Sequence, residues 1–206
     1  MKTASGMSLD EIQLGDLEFR RVRLIFDTEI QANRFALLKK TLGETVCAPR
    51  YQSLAALIRA RYPESIEKPL GTFLLERKQA GDGVYKRFLN RYGDETYSRF
   101  YLRDAEWLGR KGLYCYALGE TIVYIGQSRD SFGKRINQGY GNISPKNCYL
   151  DGQATNCHIN SLVTRHRAEM RLFLSELKDL SRMDDLEKRL IQMVQPVWNI
   201  SLKGRV

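Results

Sequence analysis

Residues 112–118 read GLYCYAL and residues 121–126 read TIVYIG, with Gly119 and Glu120 between them. Each run is rich in β-branched and aromatic residues, and a two-residue gap containing glycine is the spacing of a β-hairpin. Outward from the hairpin, Asp130 or Ser131 can cap a helix carrying Phe132, Arg135 and Ile136. Residues 138–153 follow as a loop rich in glycine and asparagine. The pattern then predicts a second helix over 156–166 and a third strand over 170–174. A last helix, LEKRLIQMV, opens with Asp184 and Glu187 in capping-box spacing and stops at Pro196.

Toward the N-terminus the signals are weaker. Residues 17–26 alternate in part and are β-like, and Thr28 with Gln31 offers a capping box for an amphipathic helix reaching about Leu42. Ser53 can cap a helix through Tyr62, stopped by Pro63, and residues 72–78 continue as a third. Residues 84–109 interleave Lys86, Arg87, Arg91, Arg99 and Arg103 with Tyr85, Phe88, Tyr92, Tyr97, Phe100, Tyr101 and Trp107. Cations that meet phosphates beside rings that stack on bases suit a nucleic-acid surface. An amphipathic segment that packs its rings into a core gives the same pattern. No catalytic signature occurs in this half.

Composition narrows the classes. The chain has 206 residues, 43% of them hydrophobic, enough for one or two domains with a proper core. No run of 18 apolar residues occurs and residues 1–13 lack the apolar stretch of a secretory signal, so a cytoplasmic, DNA-associated location is expected. Four irregularly spaced cysteines are expected to be reduced thiols. Cys148, Cys157, His158 and His166 lie close in sequence, yet no CxxC or HxxxH pair supports a zinc site. The net charge of +9 favours a polyanionic partner. Residues 1–109 hold 18 basic and 15 acidic side chains and residues 110–206 hold 15 and 9, so the excess lies mainly in the second half.

Gly112-Leu113-Tyr114 followed by Tyr124-Ile125-Gly126 resembles the paired signature of the GIY-YIG nuclease superfamily of restriction, homing and repair-type endonucleases. The rest of the family's pattern arrives in order: Arg135 in FGKRI, Glu187 on the last helix, and Asn199 in PVWN twelve residues later. The resemblance covers residues 112–201, about half the chain. It implies an α/β (α+β) fold, in which a small antiparallel sheet with flanking helices forms a nuclease domain over 110–206. A mostly helical, mixed region over 1–109 would precede it and supply DNA recognition. The implied function is a metal-dependent DNA endonuclease of restriction, phage or mobile-element type, with Mg²⁺ or Mn²⁺ as cofactor. Double-stranded DNA is the expected partner, and a homodimer would provide two sites for double-strand cleavage. The alternatives are a repair nuclease and a non-cleaving DNA-binding module of the same fold.

These residue types suit phosphodiester hydrolysis. The reaction needs an attacking water, a proton acceptor, positive charge on the phosphate and help for the departing oxygen. Glu187 can offer one carboxylate to a hard cation whose remaining positions hold water and phosphate. Arg135 can fork onto two phosphate oxygens. Tyr114 and Tyr124 lie on neighbouring strands and can face one site, and the resemblance implies that Tyr114 accepts the proton. A phenol does so near neutrality only where cations favour its phenolate. Each residue also has an ordinary reading: capping-box glutamate, strand tyrosines, solvated arginine, turn asparagine. Two positions depart from the family. Where many members carry histidine or tyrosine four residues after the arginine, this chain has Gly139, so Tyr140 or His158 is the candidate for that role. Where repair-type members often carry lysine after YIG, it has Gln127. Gln127, Lys134, Arg87, Arg91 and Arg99 are the candidate DNA contacts.

Overall fold

A computed structural model describes residues 10–200; residues 1–9 and 201–206, including the last residue of the stretch that resembles the nuclease family, lie outside the described residues. The strands are β1 (Glu11–Leu14), β2 (Leu17–Val22), β3 (Ile25–Gln31), β4 (Tyr97–Tyr101), β5 (Gly112–Leu118), β6 (Thr121–Ser128) and β7 (Met170–Glu176). The α-helices are α1 (Leu42–Val46), α2 (Gln52–Arg61), α3 (Leu70–Gln79), α4 (Ala105–Leu108), α5 (Ala154–Arg165) and α6 (Met183–Val194), and a π-helical turn spans Lys134–Tyr140. The fold is mixed α+β. No described helix is long and apolar enough to cross a membrane.

The described residues divide into two compact units, one of residues 10–27, 100–142 and 165–200, the other of residues 28–99 and 143–164. This differs from a single cut near 109/110. The reason lies in strand pairing: β1 and β2, from the first part of the chain, join the sheet that holds the hairpin. That sheet has the order β1-β2-β7-β5-β6, with every neighbouring pair antiparallel. β3 and β4 make a separate two-stranded sheet.

Alternation along β5 sorts its side chains. Leu113, Cys115 and Ala117 pack with Ile12, Leu14, Phe19, Phe173 and the Met183, Leu190 and Ile191 face of α6. Tyr114 and Tyr116, at the positions between, fall on the opposite face. Between Tyr116 and Ala117 the pairing with β6 shifts by one residue, from Tyr124 to Ile122, leaving Val123 as the extra residue of a bulge. The bulge explains how Ile122 and Ile125, three positions apart, both reach the α6 side while Tyr124 stays with Tyr114 and Tyr116. β6 is an edge strand, and the chain after α6 covers it: the Trp198 amide donates to the Val123 carbonyl at 2.9 Å. Asn199 bonds both ways to the Ile125 backbone, at 2.9 and 2.8 Å. Such a cover removes the free edge that would otherwise recruit another strand.

The second unit has its own core, in which Phe35, Leu54, Ile58, Phe73, Leu74 and Phe88 are buried. The helix expected from Thr28 is not formed. Thr28 and Gln31 lie in β3, and the capping box in this region is Thr41 with Glu44, which opens α1. α2 starts at Gln52 from a 3-10 turn, with no side-chain cap from Ser53. Glu187 is likewise no capping-box residue, since α6 begins at Met183 without a side-chain cap. Tyr85, Phe88, Tyr97, Phe100 and Trp107 are buried, so these rings of the basic and aromatic stretch pack inward instead of offering a stacking surface.

Candidate active site

The tyrosine face of the hairpin carries the polar groups. Tyr114 lies opposite Gly126 across the β5–β6 pair, and its ring fills the place a side chain there would need. A Cβ at position 126 would overlap the Tyr114 hydroxyl, which gives the glycine of YIG a local steric reason. The Tyr114 hydroxyl donates to the Tyr140 hydroxyl at 3.0 Å, and the Tyr124 and Tyr140 hydroxyls are 3.1 Å apart. Tyr140 is therefore the hub of a chain of three phenols.

The π-helical turn brings Tyr140 there. Its Gly141 amide bonds to the Ile136 carbonyl five residues back, at 2.6 Å. The wider turn bonds residues five apart instead of four, and in it Tyr140 comes alongside Arg135. The guanidinium carbon lies 5.6 Å from the centre of the Tyr140 ring. Tyr140, and not Gly139, is thus the residue whose ring stands beside the Arg135 guanidinium. Gly141 is itself required, because a Cβ there would overlap the Phe100 carbonyl oxygen, which approaches it beside the Phe100 amide's bond to Gly141.

On the far side of β6, the Gln127 carboxamide nitrogen donates to Glu187 Oε2 and to Asp184 Oδ1, each at 2.8 Å. Arg129 pairs with the other Asp184 oxygen at 2.7 Å. The sequence pattern did not single out Asp184 or Arg129 for the site. Two acids three apart at the start of a helix were the available signal, and they read equally well as an N-terminal charge preference.

The electrostatics follow from burial. Tyr114 is 1% exposed, and burial, then Tyr140 and Tyr124, hold its phenol well above the ordinary range while Arg135 opposes them. Burial raises Tyr124 too, joined by Tyr140 and Glu187 and again opposed by Arg135. Burial also raises the Glu187 carboxyl, against which the Gln127 hydrogen bond, Arg135 and Arg129 act. Desolvation works against the charge on Arg135, but the phenols and Glu187 outweigh it and its pKa rises. Arg135 is the cation that Tyr114, Tyr124 and Glu187 share.

The other candidates fall elsewhere. Asn199 commits both ends of its carboxamide to Ile125, so its contribution is to hold β6. Lys134 is exposed and pairs with Asp130 at 2.8 Å. His158 belongs to the second unit, where its ring lies 4.3 Å from that of Tyr92. Arg87, Arg91 and Arg99 are exposed residues of the second unit, with Arg91 over the Tyr92 ring.

Among the described residues no group of three or more His, Cys, Asp or Glu could cage a metal ion. The donor set still fits a cation that keeps most of its water. Gln127 engages one oxygen of the half-buried Glu187 carboxylate, and the Gln127 carboxamide oxygen beside it is buried without a hydrogen-bond partner. Mg²⁺ is commonly held by one or two carboxylates with water completing its shell. No protein-family model, curated protein or solved structure matches the chain.

Proposed function

We propose that the chain is a metal-dependent DNA endonuclease of GIY-YIG type. The observation that carries this reading is the gathering of Tyr114, Tyr124, Tyr140, Arg135 and Glu187 in one compact unit, with the three phenols joined by hydrogen bonds and Arg135 set over the hub. Arg135 would bind the scissile phosphate and take up its growing charge. The phenol chain would hold the proton released as the oxygen of water bonds to phosphorus and the bond to the departing sugar oxygen breaks. A divalent cation at Glu187 would add positive charge to the phosphate and acidify water.

The test is conversion of supercoiled plasmid to nicked or linear form in Mg²⁺ or Mn²⁺. Activity should disappear with chelator and in Glu187→Ala. Cleavage by Glu187→Ala at the wild-type rate would defeat the assignment. One observation favours a second reading, a DNA-binding module that does not cut: Tyr114 is sealed and its phenol is driven away from ionisation. Salt-sensitive DNA binding with no cleavage in any divalent cation would select it.

A further inference from the structure

Gln127 lies near the end of β6, and its side chain makes an unusual bridge. One carboxamide nitrogen serves two carboxylates on the first turns of α6, Glu187 Oε2 and Asp184 Oδ1, both at 2.8 Å. An amide nitrogen has two hydrogens, one for each acceptor. Two like charges three residues apart on a helix repel, and the shared donor holds them at a fixed separation. Arg129 fixes the outer oxygen of Asp184 at 2.7 Å, so the second acceptor of the carboxamide nitrogen is anchored as well.

The arrangement leaves two oxygens. Among the described residues Glu187 Oε1 takes no hydrogen bond, because Gln127 engages Oε2 alone. Gln127 Oε1 is buried without a partner, a loss that a residue serving only to tie β6 to α6 would not need to accept. Carboxylates that hold metal ions are themselves hydrogen-bonded, and that outer bond sets which oxygen faces the ion.

Building on the nuclease reading above, we propose that Gln127 is a positioning residue, which by holding Oε2 presents Oε1 of Glu187 to the divalent cation, with Asp184, itself held by Arg129, taking the second hydrogen of the same carboxamide nitrogen. Asp184 on this account is a support and not a ligand.

The test is Mn²⁺ binding to the full chain without DNA, read by electron paramagnetic resonance, together with the thermal midpoint of each variant. Gln127→Met keeps length and shape but loses the donor. It should weaken Mn²⁺ binding by about 10- to 100-fold, the usual cost of losing a partner of a metal ligand. Its cleavage rate should return to near the wild-type value when Mn²⁺ is raised to saturation, as expected if only the ion's hold is loosened. Unchanged Mn²⁺ affinity with a lowered midpoint would overturn the proposal and make Gln127 a structural tie. Asp184→Asn, on an exposed side chain, keeps an acceptor and should retain Mn²⁺ affinity within about threefold, a fraction of that outer-partner cost. A loss as large as in Glu187→Ala would make Asp184 a ligand and equally overturn it. Mn²⁺ binding unaffected by Glu187→Ala would instead sink the nuclease reading on which the proposal rests.

Discussion

On one face of β5, Leu113, Cys115 and Ala117 meet the apolar side of α6; on the other, Tyr114 and Tyr116 stand among Tyr124 and Tyr140. Both sets are almost fully buried, so burial alone does not separate a core from a site. What separates them is the company of polar atoms. The apolar cluster on the α6 side includes one titratable group, the Cys115 thiol, which burial simply pushes up. The tyrosine side concentrates hydroxyls around one guanidinium, and each hydroxyl carries a cost of burial that packing alone does not require.

The contrast is sharpest at Phe173, a fully buried ring on β7 in the α6-facing core. Phe173→Ala should cost about 3–5 kcal/mol of stability, measured by urea unfolding. A loss below about 1 kcal/mol would mean that this face is not the stabilising one. Across the sheet, Arg135→Ala should lower plasmid cleavage by about 10²–10³, the usual effect of removing one charge-stabilising donor. Its stability should stay within about 0.5 kcal/mol of wild type, as for other exposed positions. A stability loss like that of Phe173→Ala would turn the tyrosine face into a second core and remove the distinction.

The same inside and outside logic applies to residues 84–109, where rings point in and Arg87, Arg91 and Arg99 are exposed. Replacing the three arginines together by glutamine should weaken DNA binding and flatten its salt dependence, by a slope of about 0.9 for each phosphate no longer neutralised. Unchanged binding with reduced thermal stability would assign them to the fold instead. The smallest effect is expected at Tyr116, whose buried hydroxyl has no hydrogen-bond partner among the described residues. Tyr116→Phe should be neutral or stabilising, by no more than about 1 kcal/mol, because it removes an unsatisfied group while keeping the ring. A loss of about 2 kcal/mol or more in thermal unfolding would reveal a bond to that hydroxyl.

The hairpin and α6 were legible in the sequence because their partners are local or their periodicity is strong. GLYCYAL and TIVYIG pair across a two-residue turn, and the apolar positions of LEKRLIQMV recur at helical spacing. β3 was not legible. Thr28 and Gln31 have the spacing of a helix start, and only β4, some seventy residues on, supplies the pairing that makes Ile25, Thr28 and Ile30 a strand. Within the candidate site, the residue types and their order could be read in advance. The role of Asn199 could not, because its carboxamide is taken up by a backbone 74 residues away. Nor could the approach of Tyr140 to Arg135, since a π-helical turn leaves no periodic signature over seven residues.

β7 lies between β2 and β5 in space and is the last described strand in the chain. During synthesis, Val22 at the end of β2 leaves the ribosome 154 residues ahead of Glu176 at the end of β7. At about 5–20 residues per second that is a delay of roughly 8–30 s. Until it ends, β2 and β5 each expose the edge that β7 will occupy. The residues of the second unit are complete at Thr164, so the unit that begins first is the one that closes last. A chain released before residue 170 would hold all the residues of the second unit and two open strand edges, the form most prone to pair with another copy of itself.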